Sequence, residues 1–189
     1  MALIKFITKS ALDSPYENKY SDDQALENVI SYAYDLKNDG WKTNGYVGGW
    51  AVDPRTAITE MKLLTKFWHK ESGIRLRHWI ISFTEGDLEQ AARRLPGHDC
   101  WNILYRLGLE FTAYYAEQYQ IVFAVHLDHG AGHLHIVANT VSYVDGRKYS
   151  GTKQEYYEYL RYVNLVARRF GFNIYPVADR RAGKGDYAI

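Results

Sequence analysis

Residues 121–141, IVFAVHLDHGAGHLHIVANTV, decide how this chain folds, because they alternate twice with a turn between. In the first run Val122, Ala124, His126 and Asp128 fall on one face of a strand, with Phe123, Val125 and Leu127 on the other. In the second run His133, His135, Val137 and Asn139 share a face, opposed by Leu134, Ile136 and Ala138. Between them His129-Gly130-Ala131-Gly132 is short and carries glycine, which suits a tight hairpin between antiparallel neighbours. A hairpin, rather than a parallel crossover, predicts an α/β (α+β) fold: a central antiparallel sheet with the histidines in its middle and helices packed on it.

The same register sets His126 beside His133 and His135. A lone histidine in a half-buried strand is ordinary sheet packing. Three on one apolar face are different, since polar groups buried without a partner cost about 1 to 3 kcal/mol each. A shared divalent ion removes that cost, and three neutral imidazoles leave positions open on the ion, as catalytic sites require. Imidazole ligands alone favour Co2+, Ni2+ or Zn2+. Asp128 and Asn139 are expected to stand behind these ligands, Asp128 as an acceptor orienting a ring N–H. His129, at the turn, is expected to be solvated.

Of the 189 residues 47% are hydrophobic, enough for one domain with a sizeable core, and no Pro/Gly/Ser-rich linker divides them. Cys100 stands alone and has no partner for an internal disulfide. The start, MALIKFITKS, is too polar for a secretory signal, and no run approaches the roughly 20 apolar residues of a membrane span. These features predict a cytoplasmic protein without a membrane span. A net charge of +1 gives no global attraction to nucleic acid, so any such binding must rest on local patterning.

Residues 3–8 read as a first strand, followed by a polar loop through Tyr20. A helix follows, with Ser21 as N-cap, Gln24 completing a capping box, and Ala25, Val29, Tyr32 and Leu36 on one stripe. Residues 37–53 read as an ordered loop; Trp41, Tyr46 and Trp50 there are candidates either for packing or for stacking on bases. Asp53-Pro54 predicts the start of a helix running to about Lys70. His78–Thr84 reads as a strand, and Asp87–Leu95 and Asp99–Gln118 as helices separated by Pro96-Gly97. Asp145-Gly146 is a turn, and Lys153–Phe170 a last helix stopped by Gly171.

With these residues in view, the chain resembles the conjugative relaxases, or mobilisation nucleases, of the HUH endonuclease superfamily. HLDHGAGHLHIVAN is similar to their His-x-Asp, turn, His-x-His-Ile-Val and Asn signature; Ser142–Tyr149 and His78–Phe83 resemble the segments that flank it. The likeness extends over roughly residues 3–177, and residues 1–177 are read as one nuclease domain, with 178–189 a basic tail that begins a longer protein's extension. It implies the palm-like HUH architecture and Mn2+ or Mg2+ as the ion on His126, His133 and His135.

It further implies nicking and rejoining of single-stranded DNA at a plasmid or conjugative-element transfer origin, through a 5′-phosphotyrosine intermediate, in a bacterial cytoplasm with relaxosome accessory and coupling proteins. A phenol ionises near pH 10, so the nucleophile needs a cation or a base such as His78, which the likeness places near the centre with a proton-transfer or phosphate-contact role. Among seventeen tyrosines, Ile30-Ser31-Tyr32-Ala33 matches the nucleophile's place on an early helix, although alanine stands where the family more often has isoleucine. Tyr34 is the competitor, about 200° around the helix. Arg147, Lys148, Lys153, Arg161, Arg168 and Arg169 are expected to contact phosphates. Two other readings differ in testable ways. An HUH replication initiator or transposase would share the metal site but not the flanking segments; a non-catalytic DNA-binding module would leave no covalent product.

Overall fold

Two strands that alternate on both sides of a short turn belong in the interior of a sheet, and there the computed structural model places them. It describes residues 1–7, 20, 22–128, 131–149 and 151–177, with the side chain of Asp128 excepted. The strands are β1 (Ala2–Phe6), β2 (Val47–Trp50), β3 (Leu76–Phe83), β4 (Tyr119–Asp128), β5 (Ala131–Ser142) and β6 (Ile174–Pro176). They lie in the order β2-β4-β5-β3-β1-β6, antiparallel except where β6 runs parallel to β1. Five helices pack on this sheet: α1 (Asp23–Ala33), α2 (Ala57–Phe67), α3 (Glu85–Arg94), α4 (Cys100–Thr112) and α5 (Lys153–Phe170).

Strand alternation divides the core in two. Trp79, Ile81, Phe83, Phe123, Val125, Leu134 and Ile136 form one face, buried under α3, α4 and α5. Leu76, Val122, Ala124 and Val137 form the other, covered by Leu26, Ile30 and Ala33 of α1 and by Ala57 and Met61 of α2. The second cover is partial. Ile80 is only partly buried and Ser82 is exposed, so this face stays open towards the hairpin.

Several boundaries differ from the sequence reading. Ser21 lies outside the described residues; Asp22 caps α1, its carboxylate accepting from Ala25 N–H at 2.7 Å. The buried stripe of α1 is Leu26, Ile30 and Ala33, one position on from Ala25, Val29 and Tyr32, and Leu36 sits beyond the helix with 50% exposure. Asp53 does not cap α2. Its side chain accepts from the backbone N–H of Arg55, and a turn closes from Thr56 N–H to Asp53 O, so the helix begins only at Ala57. Strand β2 went unread because Gly48-Gly49 gives no alternation, yet the glycines have a purpose. A Cβ on Gly48 would fall 2.4 Å from the Phe123 ring, and one on Gly108 of α4 would fall 2.3 Å from it. The ring is fully buried between the two.

Candidate metal centre

Register alone brings the histidines together. His126 pairs directly with His133 across β4 and β5, and Ala124 with His135, so all three imidazoles rise from the face that α1 partly covers. One nitrogen from each lies within 4.8 Å of the others. The ring centroids are 4.6 Å apart for His126 and His135, 4.9 Å for His126 and His133, and 5.1 Å for His133 and His135. His126 and His135 are buried, whereas His133 is partly exposed on the open side.

Hydrogen bonds assign the ring protons. Nε2 of His126 lies 2.7 Å from the carbonyl oxygen of Ala33, which can only accept, so Nε2 carries a proton. That carbonyl belongs to the last turn of α1, where a helix has no partner of its own to offer. His78, on β3, sets its Nε2 3.1 Å from Nδ1 of His135, with the rings stacked at 5.3 Å. Nε2 of His135 is buried and has no hydrogen-bond partner among the described residues. Burial, followed by the positive potential of His126, His78, His133 and Lys42, holds the His135 imidazole down at about 2, so the ring is neutral. A neutral imidazole with an orphaned inward nitrogen, beside two more, is the donor set a divalent ion requires. The residues fit the ion. If the free Nε2 is the lone pair, Nδ1–H of His135 donates to His78, which thereby fixes the orientation of the ligand.

Tyr32 precedes the carbonyl that holds His126. Its ring is 63% exposed, and its centroid is 5.3 Å from that of His135 at an interplanar angle of 88°. Tyr34 turns the other way, 7% exposed, with a buried hydroxyl that finds no partner among the described residues. Burial and then the charge of Asp53 push its phenol well above the ordinary value. The two tyrosines are thus distinguished by their environments.

Other expected residues are placed elsewhere. Asn139 shares the face, but its amide donates to Met61 O and Gln120 Oε1, both at 3.2 Å, and its Oδ1 accepts from Val141 N–H; it braces α2 and β4, not a histidine. The side chain of Asp128 and the tail 178–189 lie outside the described residues. His78 has its Nε2 engaged with His135 and is 7% exposed. The basic residues are not gathered at the histidines. Lys153, Arg161, Arg168 and Arg169 ride on α5, against the opposite face of the sheet. Arg147 and Lys148 follow the far end of β5, and Lys148 Nζ donates to Ser72 O and Ile74 O. Tyr46 packs against the core and stacks on Trp101, and Trp50, 39% exposed, donates its Nε1 to Thr112 Oγ1 at 3.0 Å. The link from His126 to Ala33 escaped the sequence reading, because a backbone acceptor 93 positions away leaves no residue-type signal.

A family model described as relaxase, MobA/VirD2-like, nuclease domain, matches residues 32–172, from Tyr32 through both histidine strands and α5. Curated proteins and solved structures give no match. With the matched span covering most of the chain and the histidine hairpin at its centre, this protein belongs to the relaxase family of MobA/VirD2-like nuclease domains.

Proposed function

We propose that this domain nicks and rejoins one strand of DNA at the transfer origin of a plasmid or conjugative element, with Tyr32 as nucleophile. The observation that carries the reading is the meeting of Tyr32 and His135, ring centroids 5.3 Å apart, on a helix whose end is hydrogen-bonded to His126. A strand laid over the open side of the face, past exposed Ser82 and partly exposed His133, would present a phosphodiester to the phenol. The Tyr32 Oη–P bond forms as the P–O3′ bond breaks. The phenolic proton passes to solvent and the 3′ oxygen takes one up, leaving a 5′-phosphotyrosine and a free 3′-hydroxyl. The reverse attack rejoins the strand, and no energy source is needed because one phosphodiester replaces another.

His126, His133 and His135 would hold a divalent ion, Mn2+ or Mg2+ on the family's pattern and Co2+, Ni2+ or Zn2+ on ligand type, and when bound it supplies polarisation of a non-bridging phosphate oxygen. His78 keeps His135 in one orientation, and the Ala33 carbonyl does the same for His126. Charge stabilisation by groups already held in place is what raises the rate of such a displacement. Among the described residues no helix is long and apolar enough to cross a membrane. We infer a bacterial cytoplasmic setting, with relaxosome accessory and coupling proteins as partners.

The test is incubation with labelled single-stranded DNA from a transfer origin and Mn2+, resolved on a denaturing gel. Wild type is expected to give a covalent adduct, Tyr32→Phe to abolish it without loss of DNA affinity, and Tyr34→Phe to retain it. An adduct that persists in Tyr32→Phe, or a nucleotide-modified peptide mapped to another tyrosine, overturns the assignment. No adduct from any transfer-origin strand would favour a DNA-binding module without catalysis.

A further inference from the structure

The loop between α1 and β2 presents an indole to solvent. Trp41 is 85% exposed, more than any other large apolar side chain among the described residues. Mobility does not account for it, because the loop is built to be stiff. Asp35, Asp39 and Asn44 take left-handed backbone angles, φ 54, 52 and 46°, a conformation in which Asp and Asn are the best tolerated side chains after glycine. The Asp35 carboxylate accepts from Asn38 Nδ2 at 2.7 Å and from Lys42 N–H at 3.1 Å. Gly40 N–H donates to Asp35 O, Trp41 N–H to Asn38 O and Thr43 N–H to Gly40 O, each at 3.0 Å.

Both ends of the loop are tied to the site. It leaves α1 just after Tyr34, and it joins the sheet where Val125 N–H donates to Tyr46 O at 2.9 Å, next to His126. Lys42, next to Trp41, is exposed as well. A rigid loop that holds an unpacked aromatic face beside a cation has the elements of a stacking platform for a single strand, in which rings take bases and ammonium groups take phosphates. A protein-docking patch would be a contiguous apolar area, whereas the neighbours of Trp41 along the chain are Asn38, Asp39, Gly40, Lys42, Thr43 and Asn44.

We propose that Trp41 stacks on one base next to the scissile link while Lys42 contacts the adjoining phosphate, so that this loop seats the strand across the histidines. The proposal rests on the reading of the domain as a nuclease of single-stranded DNA.

The experiment measures fluorescence anisotropy of a fluorescein-labelled 20-nucleotide oligothymidylate in EDTA, against a 20-unit abasic oligomer carrying the same phosphates. Trp41→Ala is expected to weaken oligothymidylate binding by about 5- to 150-fold, the range for loss of one base–aromatic stack, and to leave abasic binding unchanged. Trp41→Phe should keep affinity within a few-fold of wild type. Lys42→Gln should weaken both ligands and lower the salt slope by about 0.7, one phosphate contact on a single strand. Equal losses on the two oligomers in Trp41→Ala, no loss on either, or a Trp41→Phe as weak as Trp41→Ala overturns the stacking role; an unchanged salt slope in Lys42→Gln overturns the phosphate contact. Wild type that fails to bind oligothymidylate at any salt overturns the single-strand reading itself, a result distinct from all of these.

Discussion

His135 is the residue on which the centre depends, because each of its nitrogens has a different fate. Nδ1 faces His78 at 3.1 Å, and Nε2 is buried without a partner among the described residues. An orphaned buried nitrogen costs about 1 to 3 kcal/mol, a cost that bonding to an ion would relieve. Divalent metal is therefore expected to raise the melting temperature by mass action, by as much as about 2.7 kcal/mol of stability at one hundred times Kd. The diagnostic variant is His133→Ala. His133 is the least buried of the three, so its loss leaves the smallest cavity, and the metal-free protein should melt close to wild type while the metal-induced shift largely vanishes. A wild type that no divalent metal stabilises would refute the centre.

At the scale of elements, what could be read in the sequence followed the strength of the local signal. The hairpin was legible, because alternation on both sides of a short glycine-bearing turn puts the three histidines on one face; the turn is tighter than the four residues 129–132, since Ala131 and Gly132 pair with Asp128 and Leu127, and that register places His126 opposite His133. Helix α5 was legible from Gly171, which adopts φ 97° at its C-terminus. The stripe of α1 lies one position on from the one expected, since Ala25, Val29, Tyr32 and Leu36 recur at helical spacing just as Leu26, Ile30 and Ala33 do; only packing on the sheet decides between neighbouring ridges. That shift is what leaves Tyr32 exposed at the rim. Strand β2 was hidden because Gly48 answers to a contact with Phe123 across the sheet, and Gly49 to close backbone oxygens of Ile121 and Val52, and not to strand propensity. Gly108→Ala tests this. In an open helix the change would gain up to about 1 kcal/mol, but here Phe123, blocked by Gly48 on its other side, cannot yield. We expect a net loss of about 1 to 3 kcal/mol in urea unfolding, with Gly108→Ala and Phe123→Leu combined costing less than the sum of the two.

For the whole molecule the question is which side DNA touches, and a net charge of +1 leaves this to the layers. The sheet separates two environments: helices α3, α4 and α5 on one side, the histidines with α1 and α2 on the other. Arg168 and Arg169 belong to the first. Arg169 is paired with Glu110 at 2.7 Å, and Arg168 Nε donates to Asn173 Oδ1 at 3.3 Å, so both guanidinium groups are engaged locally on a helix whose inner face is buried against the sheet. A strand whose phosphorus meets Tyr32 over the histidines would have to wrap around the sheet edge to reach them. The salt dependence of oligothymidylate binding reports how many phosphates are neutralised, at about 0.7 in logarithmic slope for each contact on a single strand. Replacing both arginines by alanine is therefore expected to leave that slope as it was, although the same two residues look like phosphate ligands in a linear reading of the chain. A slope reduced by more than one would mean that bound DNA continues past the histidine face onto α5, and the DNA path would then have to include the opposite layer.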